Sequence, residues 1–295
     1  MVEKNKKIVF ITGAEGMLGR ELAAIFAKHY KVIAPARKEC DITDAKKVTA
    51  LFLRYRPWLA IHAAGFTDVD GCEENVRKAY AVNAQGTCIV SKAARTSGTV
   101  LIYVSTDYVF SGAKHAAYRE TDRVHPLSVY GRTKLEGEEF VRKLLKKHII
   151  IRTSWLFGTG RDNFITNVMA WAKEKECFSI VCDKYACPTY TIDLAKALYL
   201  IAKRIDTHKP GDTFYGTYHI ANSGYCSWFD YANYILKVAK VKNVRLLPVA
   251  MAQMKFKAKR PAFSVLDSTK FNRVFGYKLR PWQKAVKEYM QCTYH

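Results

Sequence analysis

The fold is indicated by a stretch near the start of the chain, residues 7–19, which read KIVFITGAEGMLG. A short apolar run is followed by three evenly spaced glycines and the start of a helical pattern. Gly13 permits a tight turn, Gly16 lets backbone N–H groups approach a pyrophosphate, and Gly19 permits close packing of the helix on the strand. The spacing G-x-x-G-x-x-G differs from G-x-G-x-x-G, but it predicts a similar strand–turn–helix unit for phosphate binding. A glycine-rich turn without a ligand is the alternative.

Beyond this stretch, the first half of the chain alternates short apolar runs with helical patterns. The spacing predicts strands at 7–12, 32–34, 59–62, 100–105 and 149–153. It predicts helices at 18–27, 45–55, 82–96 and 129–146. This alternation is typical of βαβ units with right-handed crossovers around a buried parallel sheet. The sequence therefore predicts an α/β fold with a Rossmann-type doubly wound parallel sheet.

The end of the second predicted strand distinguishes between two dinucleotide cofactors. An NAD site usually has Asp or Glu there, whose carboxylate binds the ribose 2′-hydroxyl. Here residues 33–38 read IAPARK, with Arg37 and no acid. A guanidinium suits a 2′-phosphate, so the sequence predicts NADPH, with NADH as the alternative cofactor and a merely solvated Arg37 as the alternative interpretation. Asp41 and Ile42 lie beyond this turn, where they would border the adenine.

The second half of the chain has a looser pattern. Helices are predicted at 164–173, 192–205 and 228–238, between short strands and loops marked by Pro or Gly. We predict an NADP(H)-binding Rossmann domain over residues 1–157, with returning segments near 188–222. Residues 158–295 are predicted to form mainly a smaller C-terminal α/β domain that binds substrate over the open edge of the sheet.

Composition excludes several classes of protein. The 295 residues are 49% apolar and 25% charged, which is ordinary for a globular protein. The sequence has no stretch of 18 uncharged apolar residues, so it predicts no membrane span. The basic first residues lead directly into the first strand and not into a signal peptide, so we expect a cytoplasmic protein.

The formal net charge of +22 would attract polyanions. The basic residues are spread along the chain, and the denser runs at 142–147 and 255–260 lack the repeated aromatic residues of a platform for single-stranded nucleic acid. We therefore predict no nucleic-acid partner. A nucleotide-diphosphate ligand would suit the same charge.

The eight cysteines are scattered, with no C-x-x-C pair. This spacing predicts neither a metal site nor a disulfide framework. We interpret the cysteines as reduced thiols that serve as small apolar residues.

Tyr130 and Lys134 are four residues apart at the start of a predicted helix, so they share one face. A phenol has a usual pKa of about 10. A neighbouring ammonium lowers that pKa towards neutrality, which would suit proton transfer. Such a pair occurs by chance in many helices, so it indicates catalysis only in combination with other motifs.

One such motif, STDYVF at residues 105–110, begins at the carboxyl end of the fourth predicted strand. Parallel sheets place their ligands at this edge. A hydroxyl of Ser105 or Thr106 would hydrogen-bond the substrate oxygen beside Tyr130 and hold it for hydride attack. The alternative is that both hydroxyls merely cap a loop.

Together these motifs resemble the extended short-chain dehydrogenase/reductases, and most closely the dTDP-4-dehydrorhamnose reductase family. The resemblance covers nearly the whole chain. The glycine turn and the Tyr/Lys pair mark the superfamily only, whereas STDYVF at 105–110 and RTSWLFG at 152–158 are far more specific. The resemblance implies an NADPH-dependent oxidoreductase that reduces the C4 keto group of dTDP-4-dehydro-L-rhamnose to give dTDP-L-rhamnose.

The resemblance also implies roles for individual residues. Tyr130 would donate a proton to the sugar C4 oxygen, Lys134 would bind the nicotinamide ribose, and Thr106 would orient the keto sugar. In addition to Arg37, Tyr130 and Lys134, the cofactor would be surrounded by Gly13, Gly16, Met17, Leu18, Asp41, Ile42, Ala63, Ala64 and Gly65. The residues expected to bind the substrate are Ser105, Thr106, Asp107, Trp155 and Arg260. Asn83 is interpreted as a structural residue of a helix near the cofactor.

Two alternatives to this activity are open in the sequence. One is a reductase of another nucleotide-linked 4-keto-6-deoxyhexose, for example a UDP sugar, with the same catalytic residues. The other is a non-catalytic NADP-binding regulatory subunit, like that of methionine adenosyltransferase. The sequence does not decide between a monomer and a homodimer.

Overall fold

Parallel strands and the helices around them dominate the computed structural model, which describes residues 6–207 and 213–294. The strands are β1 (Ile8–Thr12), β2 (Lys31–Ile33), β3 (Leu59–His62), β4 (Val100–Thr106), β5 (His148–Thr153), β6 (Leu156–Phe157), β7 (Cys177–Val181), β8 (Tyr185–Ala186), β9 (Thr189–Tyr190), β10 (Gly216–His219), β11 (Cys226–Ser227) and β12 (Arg245–Val249). The α-helices are α1 (Met17–Ala27), α2 (Ala45–Tyr55), α3 (Val69–Glu74), α4 (Val76–Ala79), α5 (Gly86–Ser97), α6 (Val129–Leu144), α7 (Phe164–Glu174), α8 (Thr191–Asp206), α9 (Trp228–Val238), α10 (Thr269–Phe275) and α11 (Trp282–Tyr294).

The central sheet has six strands in the order β10-β5-β4-β3-β1-β2, and every neighbouring pair is parallel. The strand order reverses at β1, because β2 lies on one side of it and β3 on the other. Such a switch point opens a crevice at the carboxyl ends of the strands, where ligands bind in folds of this kind. The predicted doubly wound α/β fold is confirmed.

Both faces of the sheet are covered by helices, because the strands are apolar on both sides. Alternate residues of β1 point to opposite faces, so that Val9 and Ile11 belong to one apolar core and Phe10 to another. The first core includes side chains of α1 and α8, and the second includes side chains of α2, α5 and α6. The glycine turn before α1 is therefore anchored between a buried strand and a buried helix.

One predicted helix differs from the structure. Residues 82–96 are predicted as a continuous α-helix, but Tyr80–Gln85 form a π-helix that leads into α5. The wider turn holds Asn83 inward, where its amide Nδ2 donates to the carbonyl of Phe66 and to the hydroxyl of Thr133. Its Oδ1 accepts the backbone N–H of Phe66 at 2.8 Å. Asn83 therefore joins the loop after β3 to helix α6.

The second half of the chain forms a separate apolar core rich in aromatic rings. Stacked or edge-on ring pairs join Phe157, Tyr190 and Tyr289, and others join Trp155, Tyr231 and Trp282. Three two-stranded sheets, β6–β9, β7–β12 and β8–β11, contribute to this half of the molecule. Helix α8 and strand β10 pack instead with the central sheet. The division into two domains stays a prediction, with this packing in agreement with the segment expected to return near 188–222.

The cysteines lie in contrasting environments. All eight are free thiols, and Cys40, Cys72, Cys88, Cys187 and Cys226 are buried. The interpretation of the thiols as small apolar residues is wrong for Cys177 and Cys292, which are exposed because β7 and α11 turn these positions outward. Within residues 6–207 and 213–294, none of the helices combines the length and the apolar character needed to cross a membrane.

Candidate active site

A cavity of about 510 Å³ opens at the carboxyl ends of β1, β3, β4 and β5. The structure brings together in its lining nearly all of the residues selected from the sequence: Gly13, Gly16, Met17, Leu18, Arg37, Asp41, Ile42, Ala63, Ala64, Gly65, Ser105, Thr106, Asp107, Tyr130, Lys134 and Trp155. Arg260 is the exception. A cavity of this size suits a small-molecule ligand.

The glycine turn closes against the loop after β3. Gly13 has a φ of +74°, and a Cβ atom there would lie 2.6 Å from the backbone nitrogen of Ala64. A Cβ atom at Gly19 would lie 2.1 Å from the carbonyl oxygen of Gly13, so α1 packs on the turn only because Gly19 lacks a side chain. Gly16 caps α1 without a side chain, and the first turn of α1 has no acid. The N–H groups and partial positive charge of this helix end therefore face the cavity and fit a pyrophosphate.

The rim of the cavity carries opposite charges around Arg37. The Arg37 side chain is 71% exposed, and its Nε lies 3.5 Å from Oδ2 of Asp41. Hydrogen bonds from Thr43, together with Arg37, hold the pKa of Asp41 below its usual value. The carboxylate of Glu15 accepts the backbone N–H of Arg37 at 2.9 Å. Arg37 can therefore turn towards an anion at the rim, but it would lose its contact with Asp41 in doing so.

Helix α6 begins beside the end of β4, and its first turn explains the position of Tyr130. The Ser128 side chain accepts the backbone N–H of Gly131 at 3.1 Å, as expected of a helix cap. A Cβ atom at Gly131 would lie 2.3 Å from the carbonyl oxygen of Tyr108, so glycine is required where α6 meets the turn after β4. This close approach brings Tyr130 next to Thr106.

The phenol of Tyr130 and the hydroxyl of Thr106 both line the cavity, and they lie close enough to influence each other. Burial raises the pKa of Tyr130, the Thr106 contact lowers it, and the charge of Asp107 raises it. The net direction is upward, so the prediction that a lysine brings this pKa towards neutrality is wrong. The physical reason is that the phenol is buried while the ammonium of Lys134 is held elsewhere.

Lys134 is buried one helical turn beyond Tyr130. Its Nζ donates to the carbonyl oxygen of Val104 at 2.7 Å and lies 4.2 Å from the ring centroid of Tyr103. Burial lowers the pKa of Lys134 to about 7, although the carboxylate of Glu138 raises it. The ammonium is thus fixed at the inner wall of the cavity, within reach of a ligand hydroxyl.

Ser105 lines the cavity, but its hydroxyl is turned away from it. Ser105 Oγ donates to Oε1 of Glu138 at 2.6 Å, and the same carboxylate accepts hydrogen bonds from Arg152 at 2.9 and 2.8 Å. Both partners of this ion pair are buried. The hydroxyl that remains for a substrate oxygen beside Tyr130 is therefore that of Thr106, which the sequence also selected.

Asp107 supports Thr106 from behind. The hydroxyl of Thr106 donates to Oδ1 of Asp107 at 3.1 Å, and the hydroxyl of Ser264 donates to Oδ2 at 2.5 Å. The backbone N–H of Tyr108 donates to Thr106 Oγ1 at 3.2 Å. Asp107 is 2% exposed, so its carboxylate has almost no contact with solvent and serves to orient Thr106.

The chain matches the family model described as "RmlD substrate binding domain" over residues 6–294. It is 40% identical to the dTDP-4-dehydrorhamnose reductase of Aggregatibacter actinomycetemcomitans, over 95% of this chain and 97% of that protein. The chain belongs to the dTDP-4-dehydrorhamnose reductase family. This membership confirms the resemblance found in the motifs.

Two solved structures of the family agree with the fold over nearly all of the chain. One is a dTDP-4-dehydrorhamnose reductase of Clostridium acetobutylicum, 36% identical, with a TM-score of 0.91 over 98% of this chain and 100% of that one. The other, from Bacillus anthracis, is described as a complex with NADP and is also 36% identical, with a TM-score of 0.90 and the same coverage.

In this member of the family, Trp155 has an unusual backbone. Its φ is +43°, a region that a bulky residue adopts only when its surroundings impose it. The indole ring stacks on Tyr231 at 6.1 Å between centroids and lies 5.8 Å from Trp228. Its buried Nε1 has no hydrogen-bond partner in the described part of the chain. The aromatic core of the second half therefore holds Trp155 in the cavity wall.

Arg260, expected at the substrate diphosphate, is not part of the cavity lining. Its guanidinium donates to both carboxylate oxygens of Asp70, at 3.0 and 2.7 Å. It also lies 3.9 Å from the ring centroid of Phe256. This bidentate pair holds the arginine beside α3, which is why the structure does not bring it to the position that the sequence suggested.

Sequence reasoning missed Arg161, which lines both the main cavity and an adjoining recess that Arg37 and Lys78 also line. Arg161 follows RTSWLFG by three residues, so the family motif itself was a signal that the next loop returns to the cavity. Tyr108 also lines the cavity and was quoted only as part of a motif. Its ring packs edge-on to Tyr130 at 5.6 Å.

Proposed function

We propose that this protein reduces the C4 keto group of dTDP-4-dehydro-L-rhamnose to give dTDP-L-rhamnose, with NADPH as the reductant. The observation that carries the proposal is that Tyr130, Lys134 and Thr106 line the same cavity as the glycine turn. Relatives that bear the name dTDP-4-dehydrorhamnose reductase, at 31–40% identity, support the choice of substrate. A cytoplasmic location stays a prediction of the sequence.

The lining of the cavity fits NADPH. The turn between Gly13 and Gly19 has no room for Cβ atoms at its ends, and it presents the start of α1 to a pyrophosphate. Arg37 supplies a guanidinium for a 2′-phosphate, and Lys134 supplies an ammonium for the ribose next to the nicotinamide. The Bacillus anthracis relative, described as a complex with NADP, supports the same cofactor.

The residues of the chain supply the proton and the orientation for this reaction. When NADPH is bound, its nicotinamide supplies hydride to C4. Tyr130 donates a proton from its phenol oxygen to the C4 oxygen. The raised pKa of Tyr130 keeps the phenol protonated until this transfer. Thr106 holds the carbonyl beside the phenol when its hydroxyl proton turns from Oδ1 of Asp107 to the C4 oxygen, while the backbone N–H of Tyr108 keeps the threonine oxygen in place.

The proposal is tested by the absorbance of NADPH during incubation with two substrates, the dTDP- and the UDP-linked 4-keto sugar, side by side. We expect oxidation of NADPH that depends on the sugar and is faster with the dTDP compound. Faster turnover of the UDP compound would replace the substrate but keep the chemistry. Absence of turnover with both sugars, in a protein that still binds NADPH, would contradict the proposed activity and favour a regulatory NADP-binding protein.

A further inference from the structure

A recess of about 240 Å³ adjoins the main cavity, and three cations line it: Arg37, Lys78 and Arg161. They come from three separate segments, which are the turn after β2, helix α4 and the loop after β6. Arg37, Gly65 and Arg161 belong to the linings of both spaces, so the recess opens directly from the cavity. Like charges around one concave surface repel one another and attract an anion. The recess is therefore suited to a negatively charged group.

The loop that carries Arg161 is fixed to the body of the molecule on both sides. Before Arg161, the hydroxyl of Thr159 donates to Oε1 of Glu21 on α1 at 3.2 Å. After it, the buried amide of Asn163 donates to the carbonyl oxygens of Gly158 at 3.0 Å and of Arg161 at 3.4 Å. In the part of the chain that the structure describes, the Arg161 guanidinium has neither a hydrogen bond nor an ion pair. A fixed backbone thus presents an unpaired guanidinium to the recess.

Lys78 is a second cation that has no carboxylate partner among the described residues. It is exposed on α4, and its Nζ lies 4.7 Å from the ring centroid of Phe66, which lines the same recess. The ring holds the ammonium at the wall of the recess. Asp68 also lines the recess, but its carboxylate accepts the backbone N–H of Gly71 at 2.9 Å and caps α3. Both Lys78 and Arg161 are therefore available to a ligand.

The position of the recess indicates which phosphate of a dinucleotide it suits. The glycine turn, residues 13–19, lines the main cavity and not the recess. A pyrophosphate at the start of α1 therefore lies in the cavity. Arg37, which the sequence predicted for a 2′-phosphate, lines both spaces and is held at the rim only by its contact with Asp41 at 3.5 Å. An anion in the recess thus lies beyond the pyrophosphate and beside Arg37.

We propose that Arg161 and Lys78 bind the 2′-phosphate of NADPH together with Arg37, and that they determine the preference for NADPH over NADH. The inference rests on the proposed function, because it concerns the cofactor of that reaction. A phosphate monoester carries a charge of about −1.5 to −2 at neutral pH and three acceptor oxygens, so several cations can share it. A guanidinium donates two parallel hydrogen bonds to such a group, whereas an ammonium acts as a point charge. Arg161 therefore contributes more than Lys78.

The test compares two ligands that differ only in the 2′-phosphate, adenosine 2′,5′-bisphosphate and adenosine 5′-monophosphate. Titration calorimetry gives a Kd for each, and the ratio of the two Kd values is the preference for the 2′-phosphate. We expect Arg161→Gln to lower this preference about tenfold, because a charge-assisted contact is lost. Lys78→Gln should lower it about threefold, as expected of an exposed point charge. The Kd of the monophosphate should change less than about twofold in both variants, because its phosphate lies at the glycine turn.

Arg77→Gln serves as the matched control, because Arg77 is exposed next to Lys78 on α4 but lies outside both linings. It removes the same charge from a chain with a net charge of +22, so it measures the general attraction of the protein for an additional phosphate. The preference should change less than about twofold in this control, since salt screens distant exposed charges. Arg161→Lys keeps the charge but loses the planar fork, so its preference should lie between those of the wild type and Arg161→Gln.

Three results would overturn the inference: an unchanged preference in Arg161→Gln, an equal loss of affinity for both ligands, or an equal loss of preference in Arg77→Gln. The second would assign Arg161 to the 5′-phosphate, and the third would show a general effect of charge. Failure of the proposed function has a different signature, because binding is measured without turnover. A wild type that prefers the bisphosphate but reduces no keto sugar would support the recess and contradict the activity. A wild type without this preference would overturn the recess, while reduction with NADH would still support the activity.

Discussion

Two regions of the molecule contain a buried lysine, and a comparison of Lys134 with Lys184 shows two ways of placing an ammonium away from solvent. Each ammonium donates to a single backbone carbonyl, that of Val104 or that of Pro261, and each lies against aromatic rings. Lys134 has a place in the cavity lining, whereas Lys184 lies behind it. Both pKa values are lowered by burial, to about 7 and about 8.

The two lysines differ in their connection to Tyr130. Lys134 is one turn away on the same helix, so helical geometry alone places it. Lys184 lies in another segment of the chain and contacts Tyr108, whose ring packs edge-on to Tyr130. The difference teaches that a buried cation can face the ligand directly or can lie in the packing around the site, and that the two positions predict different kinetic effects.

The largest expected effect comes from Tyr130 itself. Tyr130→Phe removes only the acidic hydroxyl, so we expect kcat to fall by about 100-fold or more while NADPH still binds. Steady-state kinetics with a binding titration of NADPH measures both quantities. A variant with near wild-type kcat would remove Tyr130 from the reaction.

Substitution of Lys134 by methionine tests the direct use of a cation. We expect kcat/KM to fall about 30-fold and the KM for NADPH to rise, because a charge-assisted hydrogen bond to the ligand contributes about 2 kcal/mol. The same measurement on Lys184→Met should leave the KM for NADPH unchanged. Equal rises of this KM in both variants would break the distinction between the two lysines.

Arg37→Ala extends the comparison to a cation at the exposed rim. We expect the KM for NADPH to rise about tenfold and the KM for NADH to change little, because only NADPH has the 2′-phosphate. The effect should weaken at high salt, since Arg37 is mostly exposed. Parallel changes with both cofactors would contradict recognition of the 2′-phosphate.

The smallest expected effect concerns stability. The pKa of Lys134 is lowered from 10.5 to about 7 in the folded protein, so above that pH the unfolded chain binds more protons at this position. The free energy of unfolding should therefore rise with pH from about 7 upward, by at most about 1.4 kcal/mol per pH unit from this group. Denaturant titrations of the wild type and Lys134→Met should differ in this slope.

For Lys184 the same contribution should begin near pH 8 instead of pH 7. An identical onset in the wild type and in both methionine variants would show that neither lysine contributes to the pH dependence. Distinct onsets would sharpen the comparison, because they would separate the two buried sites in one experiment.

The sequence predicted the features that depend on local spacing. The glycine turn, the Tyr130–Lys134 pair and the hydroxyls at the end of β4 were all found, because each lies in a short segment whose geometry the backbone fixes. The parallel, doubly wound central sheet followed from the alternation of strands and helices.

The sequence could not predict contacts between distant segments. The capture of Arg260 by Asp70 spans 190 residues, and the turn of Ser105 towards Glu138 spans 33. The raised pKa of Tyr130 depends on burial by the whole site, which spacing does not report. Lys184 was not selected from the sequence because its hydrogen-bond partner, the carbonyl of Pro261, lies in a distant segment. No residue pattern in the sequence indicates such a contact.

The π-helix between Tyr80 and Gln85 has a consequence for the register of everything that follows it. Each residue of an α-helix advances the side-chain direction by about 100°, so the residue accommodated by the wide turn rotates α5 by that amount relative to an uninterrupted helix. Val90 and Ala94 point into the core in this rotated phase. Deletion of a single residue from Tyr80–Gln85 would therefore do more than shorten a helix. It would turn the apolar side of α5 away from the sheet. It would also break the hydrogen bonds from the Asn83 amide to Phe66 and Thr133 that join the loop after β3 to α6.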